Sequence, residues 1–165
     1  MRHKFCRYAP VFWLIVAAVL ILIAAWLFGV DEKFVLALLG TVISIIYSFQ
    51  AQRREEVRLF KDLFTDFNER YDRLNDEMNK ILRLPSNEAL SNGHLDTLND
   101  YFNLCGEEYL FYQLGYIRPK AWEAWLAGMR FYYADERIKK IWDRELESDS
   151  YYGFPVKLLR HKPTA

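Results

Sequence analysis

Two stretches of the chain, residues 11–28 and 34–49, contain no charged side chain, and the polar pattern resumes abruptly after each. At about 1.5 Å per residue they measure about 27 Å and about 24 Å as helices, against a hydrocarbon core of about 30 Å. They predict two membrane-crossing helices at about 10–28 and 34–50. Tyr8, Trp13 and Trp26 extend the first into the membrane interface, and Tyr47, Phe49 and Gln50 extend the second. Pro10 falls near the start of the first helix, where its missing N–H does little harm. A cleaved signal peptide fits less well, because the apolar run is long and no A-x-A site follows it.

From residue 51 to 84 there is neither Pro nor Gly, and the pattern becomes one-sided. Val57, Phe60, Phe64, Phe67, Tyr71, Leu74, Met78 and Ile81 step by three and four, as the a and d positions of a heptad do. These rings are bulky for a two-stranded coiled coil. Leu59, Leu63 and Leu82 widen the face, so a helix pairing with later segments of the same chain in a bundle fits better. No breaker separates this helix from the second apolar run, so the two are expected to be continuous.

The remainder is punctuated by turn residues. Pro85 ends the long helix, and Ser91-Asn92-Gly93 marks a turn. Leu95, Leu98, Phe102, Cys105, Tyr109 and Tyr112 form a second periodic stretch, closed by Gly115. Pro119 opens a third helix carrying Trp122, Trp125, Met129 and Tyr132 or Tyr133, and Asp135 caps a fourth with Ile138, Trp142 and Leu146. No stretch reads as strand. The expectation is an all-α protein: a transmembrane hairpin over 1–50, a long amphipathic helix over 51–84, a helical domain over 85–155 and a basic, mobile tail over 156–165.

Charge fixes the expected topology. The 22 basic and 22 acidic residues balance. Even so, Arg2, Lys4 and Arg7 precede the first run, Arg53, Arg54 and Arg58 follow the second, and the link holds Asp31, Glu32 and Lys33. Under the positive-inside rule both termini lie in the cytoplasm. Cys6 and Cys105 then face a reducing compartment, which disfavours a disulfide. His3, His94 and His161 are scattered, so no metal or cofactor site is expected.

Candidate functional positions are few. In the second run Ala37, Thr41, Ser44 and Ser48 recur at helical spacing, and Gly40, Ser44 and Ser48 form a small-xxx-small series. Small residues let helix backbones approach closely in lipid. The stripe therefore packs the two spans together or lines a contact or pore between several copies. Neither run holds an ionisable group, which argues against a proton relay or a charged selectivity ring.

In the remainder, Trp122, Trp125, Arg130 and Tyr132 are candidates for a partner interface, since Trp, Tyr and Arg concentrate at such sites. Adjacent Glu107 and Glu108 point to different faces of a helix, poor geometry for acid–base catalysis, and Cys105 reads as core. Asp143 and Glu147 belong to a charged outer face, and His94 reads as a helix-start or solvated residue. With no nucleotide-binding, metalloprotease or hydrolase motif, an enzyme is not expected. Basic residues at 157, 160 and 162 could touch anionic lipid or nucleic acid.

The segment Tyr101-Phe102-Asn103-Leu104-Cys105-Gly106-Glu107-Glu108-Tyr109, with Gly115-Tyr116-Ile117 and Trp122-Glu123-Ala124-Trp125, resembles a helical domain found behind short transmembrane segments in small bacterial proteins. With two N-terminal spans, the whole chain resembles the two-transmembrane effectors of retron antiphage systems. That resemblance implies a toxic protein of the bacterial inner membrane, acting in abortive infection. A reverse transcriptase and its RNA–DNA hybrid would restrain it. The alternative is a non-toxic membrane anchor that recruits a cytosolic protein.

Overall fold

A computed structural model describes residues 2–29, 31–147 and 150–160, with side chains from Phe12 onward apart from Trp26 and Phe28. The expectations for Cys6, for the basic flank at Arg2, Lys4 and Arg7, and for His161 and Lys162 therefore lie outside the described side chains. All regular structure in the described residues is helical: α1 (Arg2–Phe28), α2 (Glu32–Arg83), α3 (Asn92–Gln113), α4 (Pro119–Tyr133), α5 (Glu136–Leu146) and α6 (Lys157–Arg160). The chain divides into two compact units, Met1–Val57 and Arg58–Ala165.

In the first unit, α1 begins at Arg2, so Pro10 lies within the helix rather than at its start. Gly29 takes a φ of +63° in the link, a conformation that favours glycine. Asp31 then starts α2, its Oδ1 accepting from the Lys33 N–H at 2.8 Å. α2 carries a stretch long and apolar enough to cross a membrane, none of it buried within the protein. The described apolar part of α1, Phe12–Ala25, is shorter. By length and composition the structure thus offers one candidate span where the sequence pattern predicts two.

The second unit is built on the part of α2 that the heptad pattern marks, but burial is graded along it. Phe64 is exposed, whereas Phe67, Met78 and Ile81 are buried. Their partners come from the same chain, as expected for a bundle: Phe64 stacks on Trp125 at 5.6 Å, and Phe67 meets both Trp125 and Phe111 edge-on. α3 starts at a capping box, with Ser91 Oγ accepting from the His94 N–H and His94 Nδ1 accepting from the Ser91 N–H. It buries Leu98, Tyr101, Phe102, Leu104 and Cys105. At Gly106 a Cβ would come within 3.3 Å of the Tyr151 ring, so a larger residue there would have to push that ring back by a few tenths of an ångström.

Trp142 of α5 sits at the centre of this core. It stacks on Phe102 with centroids 4.6 Å apart and meets Tyr101 and Tyr133 edge-on. Arg137 ties α5 back to the end of α2. Its guanidinium donates to the Ile81 and Pro85 carbonyls at 3.1 and 3.0 Å and to Asp135 Oδ2 at 2.8 Å. Asp135 also accepts from the Arg137 and Ile138 N–H groups, capping α5. Asp135→Ala removes the cap and leaves Arg137 without its counter-charge, so chemical denaturation should register a loss of about 1–2 kcal/mol.

The expected mobile tail is instead packed as far as it is described. Leu159 is buried, and Arg130 Nε donates to the Leu158 carbonyl at 2.8 Å. Arg160 reaches Asp143 and the Tyr133 hydroxyl, each at 3.3 Å. Asp143, expected on a charged outer face, is thus tied into this cluster and also accepts from Tyr133 at 2.6 Å.

Candidate functional site

Two sets of side chains were singled out by the sequence, and the structure treats them differently. In α2, Ala37, Gly40, Thr41, Ser44 and Ser48 are all exposed, whereas Val35, Leu38, Leu39, Val42 and Ile46 are half-buried. The small-residue stripe is therefore not the covered face of its own helix. Two of its hydroxyls are already satisfied: Thr41 donates to the Ala37 carbonyl at 3.0 Å and Ser44 to the Gly40 carbonyl at 2.8 Å. That back-bonding leaves a smooth face of small groups rather than a row of free donors.

Of the aromatic candidates, Trp122 and Tyr132 lie inside and Trp125 is half-buried. Trp122 and Tyr132 are 4% and 2% exposed, and Trp122 stacks on Tyr112 at 4.8 Å. Trp125 packs on Phe64 and Phe67, and Arg130 is committed to the Leu158 carbonyl. Their role is core packing, because a small helical unit needs most of its large rings to exclude water. Large side chains that are exposed in the loops and on α4 include Leu114, Tyr116, Phe131 and Tyr152.

The residue that sequence reasoning passed over is Glu108. Tyr101, Cys105, Glu108 and Tyr112 are spaced by four, three and four, so Glu108 occupies the apolar stripe of α3. It is 5% exposed, in contrast to neighbouring Glu107, which forms a bidentate pair with Arg70 at 2.6 and 2.9 Å. Arg70 is thereby turned to Glu107, and no hydrogen bond or ion pair to Glu108 occurs among the described residues.

Glu108 lines a cavity of about 160 Å³ with Asn68 and Tyr71 of α2, Tyr101 of α3, and Ala124, Trp125, Gly128 and Met129 of α4. Behind it the Tyr71 and Tyr132 hydroxyls lie 3.1 Å apart and both donate to Asn75 Oδ1, at 3.0 and 3.1 Å in alternative arrangements of their protons. Burial pushes the Glu108 carboxyl up to about 8, with Arg70 opposing and Glu107 adding to the rise. Burial also drives the Cys105 thiol and the Tyr101 hydroxyl well above their ordinary values, which keeps both neutral.

No known protein-family model matches the chain, and comparison with curated proteins and with solved structures finds no match either.

Proposed function

We propose that the chain is a membrane-embedded effector that damages a bacterial inner membrane when released from cytosolic restraint, as the resemblance to retron effectors implies. On this reading α1 and the first part of α2 form the two spans, with both termini in the cytoplasm. The restraining partners are a reverse transcriptase and its RNA–DNA hybrid.

The observation that carries the reading is the exposed stripe of Ala37, Gly40, Thr41, Ser44 and Ser48 on an apolar, unburied length of α2. In lipid such a face gains by close backbone packing against another helix, so it suits assembly of several copies. The same helix supplies Phe67, Met78 and Ile81 to a folded core, which gives a cytosolic partner a handle on it.

Induced alone in bacteria, the chain should collapse membrane potential and stop growth, as a potential-sensitive dye reports. Ser44→Leu combined with Ser48→Leu should blunt the effect while expression is maintained. Polarised, growing cells at high expression would overturn the proposal. They would favour the anchor reading, for which Tyr116, Phe131 and Tyr152 are exposed aromatic side chains that a partner could contact.

A further inference from the structure

The cavity beside Glu108 combines features that membrane damage does not call for. It has one buried carboxyl, three aromatic side chains and no cationic side chain in its lining. From α2 come Tyr71, whose ring is tilted against that of Tyr101 with centroids 6.3 Å apart, and Asn68, whose amide nitrogen donates to the Phe64 carbonyl. The amide oxygen of Asn68 has no donor among the described residues. From α4 come the Trp125 ring and the small residues Ala124 and Gly128, of which Ala124 is exposed and marks the opening.

A carboxyl set among aromatic faces selects strongly among ligands. An anion gains nothing from a lining with no cationic side chain, and a purely apolar guest would leave the carboxyl without a hydrogen-bond partner. A metal ion wants more ligating groups than one carboxylate, and no cluster of three potential ligands occurs among the described residues. An organic ammonium satisfies every part. It supplies a counter-charge once the carboxyl gives up its proton, donates to the carboxylate and the amide oxygen, and lays its charge against ring faces.

We propose that this cavity is a binding site for a small organic ammonium group, held by Glu108 and Asn68 and enclosed by Tyr71, Tyr101 and Trp125. About 160 Å³ admits a group of a few heavy atoms, such as a methylated amine or the end of a lysine side chain. Binding exchanges the proton of Glu108 for the ligand's charge: the carboxyl O–H bond breaks, the proton passes to solvent, and the carboxylate pairs with the ammonium. The site is independent of the membrane reading and would stand if that reading failed.

Calorimetric titration of the full chain in detergent micelles tests it, using methylammonium and tetramethylammonium chloride against sodium chloride at equal ionic strength. Saturable binding of an ammonium ion, absent with sodium, is expected. Its heat should vary with the ionisation enthalpy of the buffer, because a proton is released. Glu108→Gln keeps the shape and removes the charge, and should weaken binding at least tenfold. Ala124→Leu, which narrows the opening from an exposed position, should do likewise. A terminally blocked lysine amide distinguishes the source: tighter binding than methylammonium indicates a chain-borne lysine, weaker binding a free amine. Heats no different from sodium chloride, or unchanged affinity in Glu108→Gln, would overturn the proposal.

Discussion

Replacing Trp142 with alanine should cost the helical unit about 3–5 kcal/mol, the usual range for deleting a fully buried large aromatic ring. The side chain is 1% exposed and packs against rings from α3 and α4 and against Phe154, so its removal leaves a cavity inside the core. Domains of this size hold only about 5–15 kcal/mol of stability in total. Loss of the cooperative thermal transition followed by circular dichroism is therefore the expected result, or a large fall in its midpoint. A variant that melts like the parent would show that the ring stack around Trp142 does not hold the unit together.

The second large effect is on pH dependence and runs through Glu108. Its folded-state value is raised to about 8 from an ordinary 4.5, so between these pH values the folded protein keeps a proton that the unfolded chain has lost. The contribution is fully present below pH 4.5 and is lost as pH rises toward 8. At about 1.4 kcal/mol per unit, the unfavourable linkage reaches on the order of 3–5 kcal/mol by pH 8. Besides burial, the groups acting on the carboxyl are Arg70 of α2, which opposes the rise, and Glu107 of α3, which adds to it; burial keeps Cys105 and Tyr101 of α3 neutral. The residues α4 contributes to the cavity are uncharged. Glu108→Gln abolishes the linkage. Denaturation midpoints of the variant should exceed those of the parent at pH 8 and approach them near pH 4. Parallel pH profiles would mean that Glu108 is solvated.

Helix limits were the legible part of the sequence, because they are set by local chemistry. Pro85, Gly115 and Pro119 cannot continue a helix in the places they occupy. Ser91 and Asp135 carry the short side chains that cap one, and all five mark element boundaries in the structure. The apolar face of α2 was equally legible, and so was its resolution into an intrachain bundle.

What the pattern could not give was depth. Trp122 and Tyr132 have the chemistry of an interface and the burial of a core, a difference that depends on which helices come to lie over them. Glu108 was hidden for a related reason. Beside Glu107 it reads as half of an acidic pair, and only its step of three from Cys105 and four to Tyr112 places it on the inner stripe. The last helical turn was masked by composition: the charges at 157 and 160 suggest a solvated tail, while Leu159 between them is the residue that folds.

α2 also has an angular consequence. Phe67, Met78 and Ile81 are buried positions on one unbroken helix, so the residues between them fix the angle from one buried side chain to the next. Each residue inserted or deleted over 68–77 would turn Phe67 against Met78 and Ile81 by about 100°. All three would keep their chemistry and lose only their phase. The turns between them therefore act as a ruler, and a change in its length would cost the core more than a change in its exposed charges.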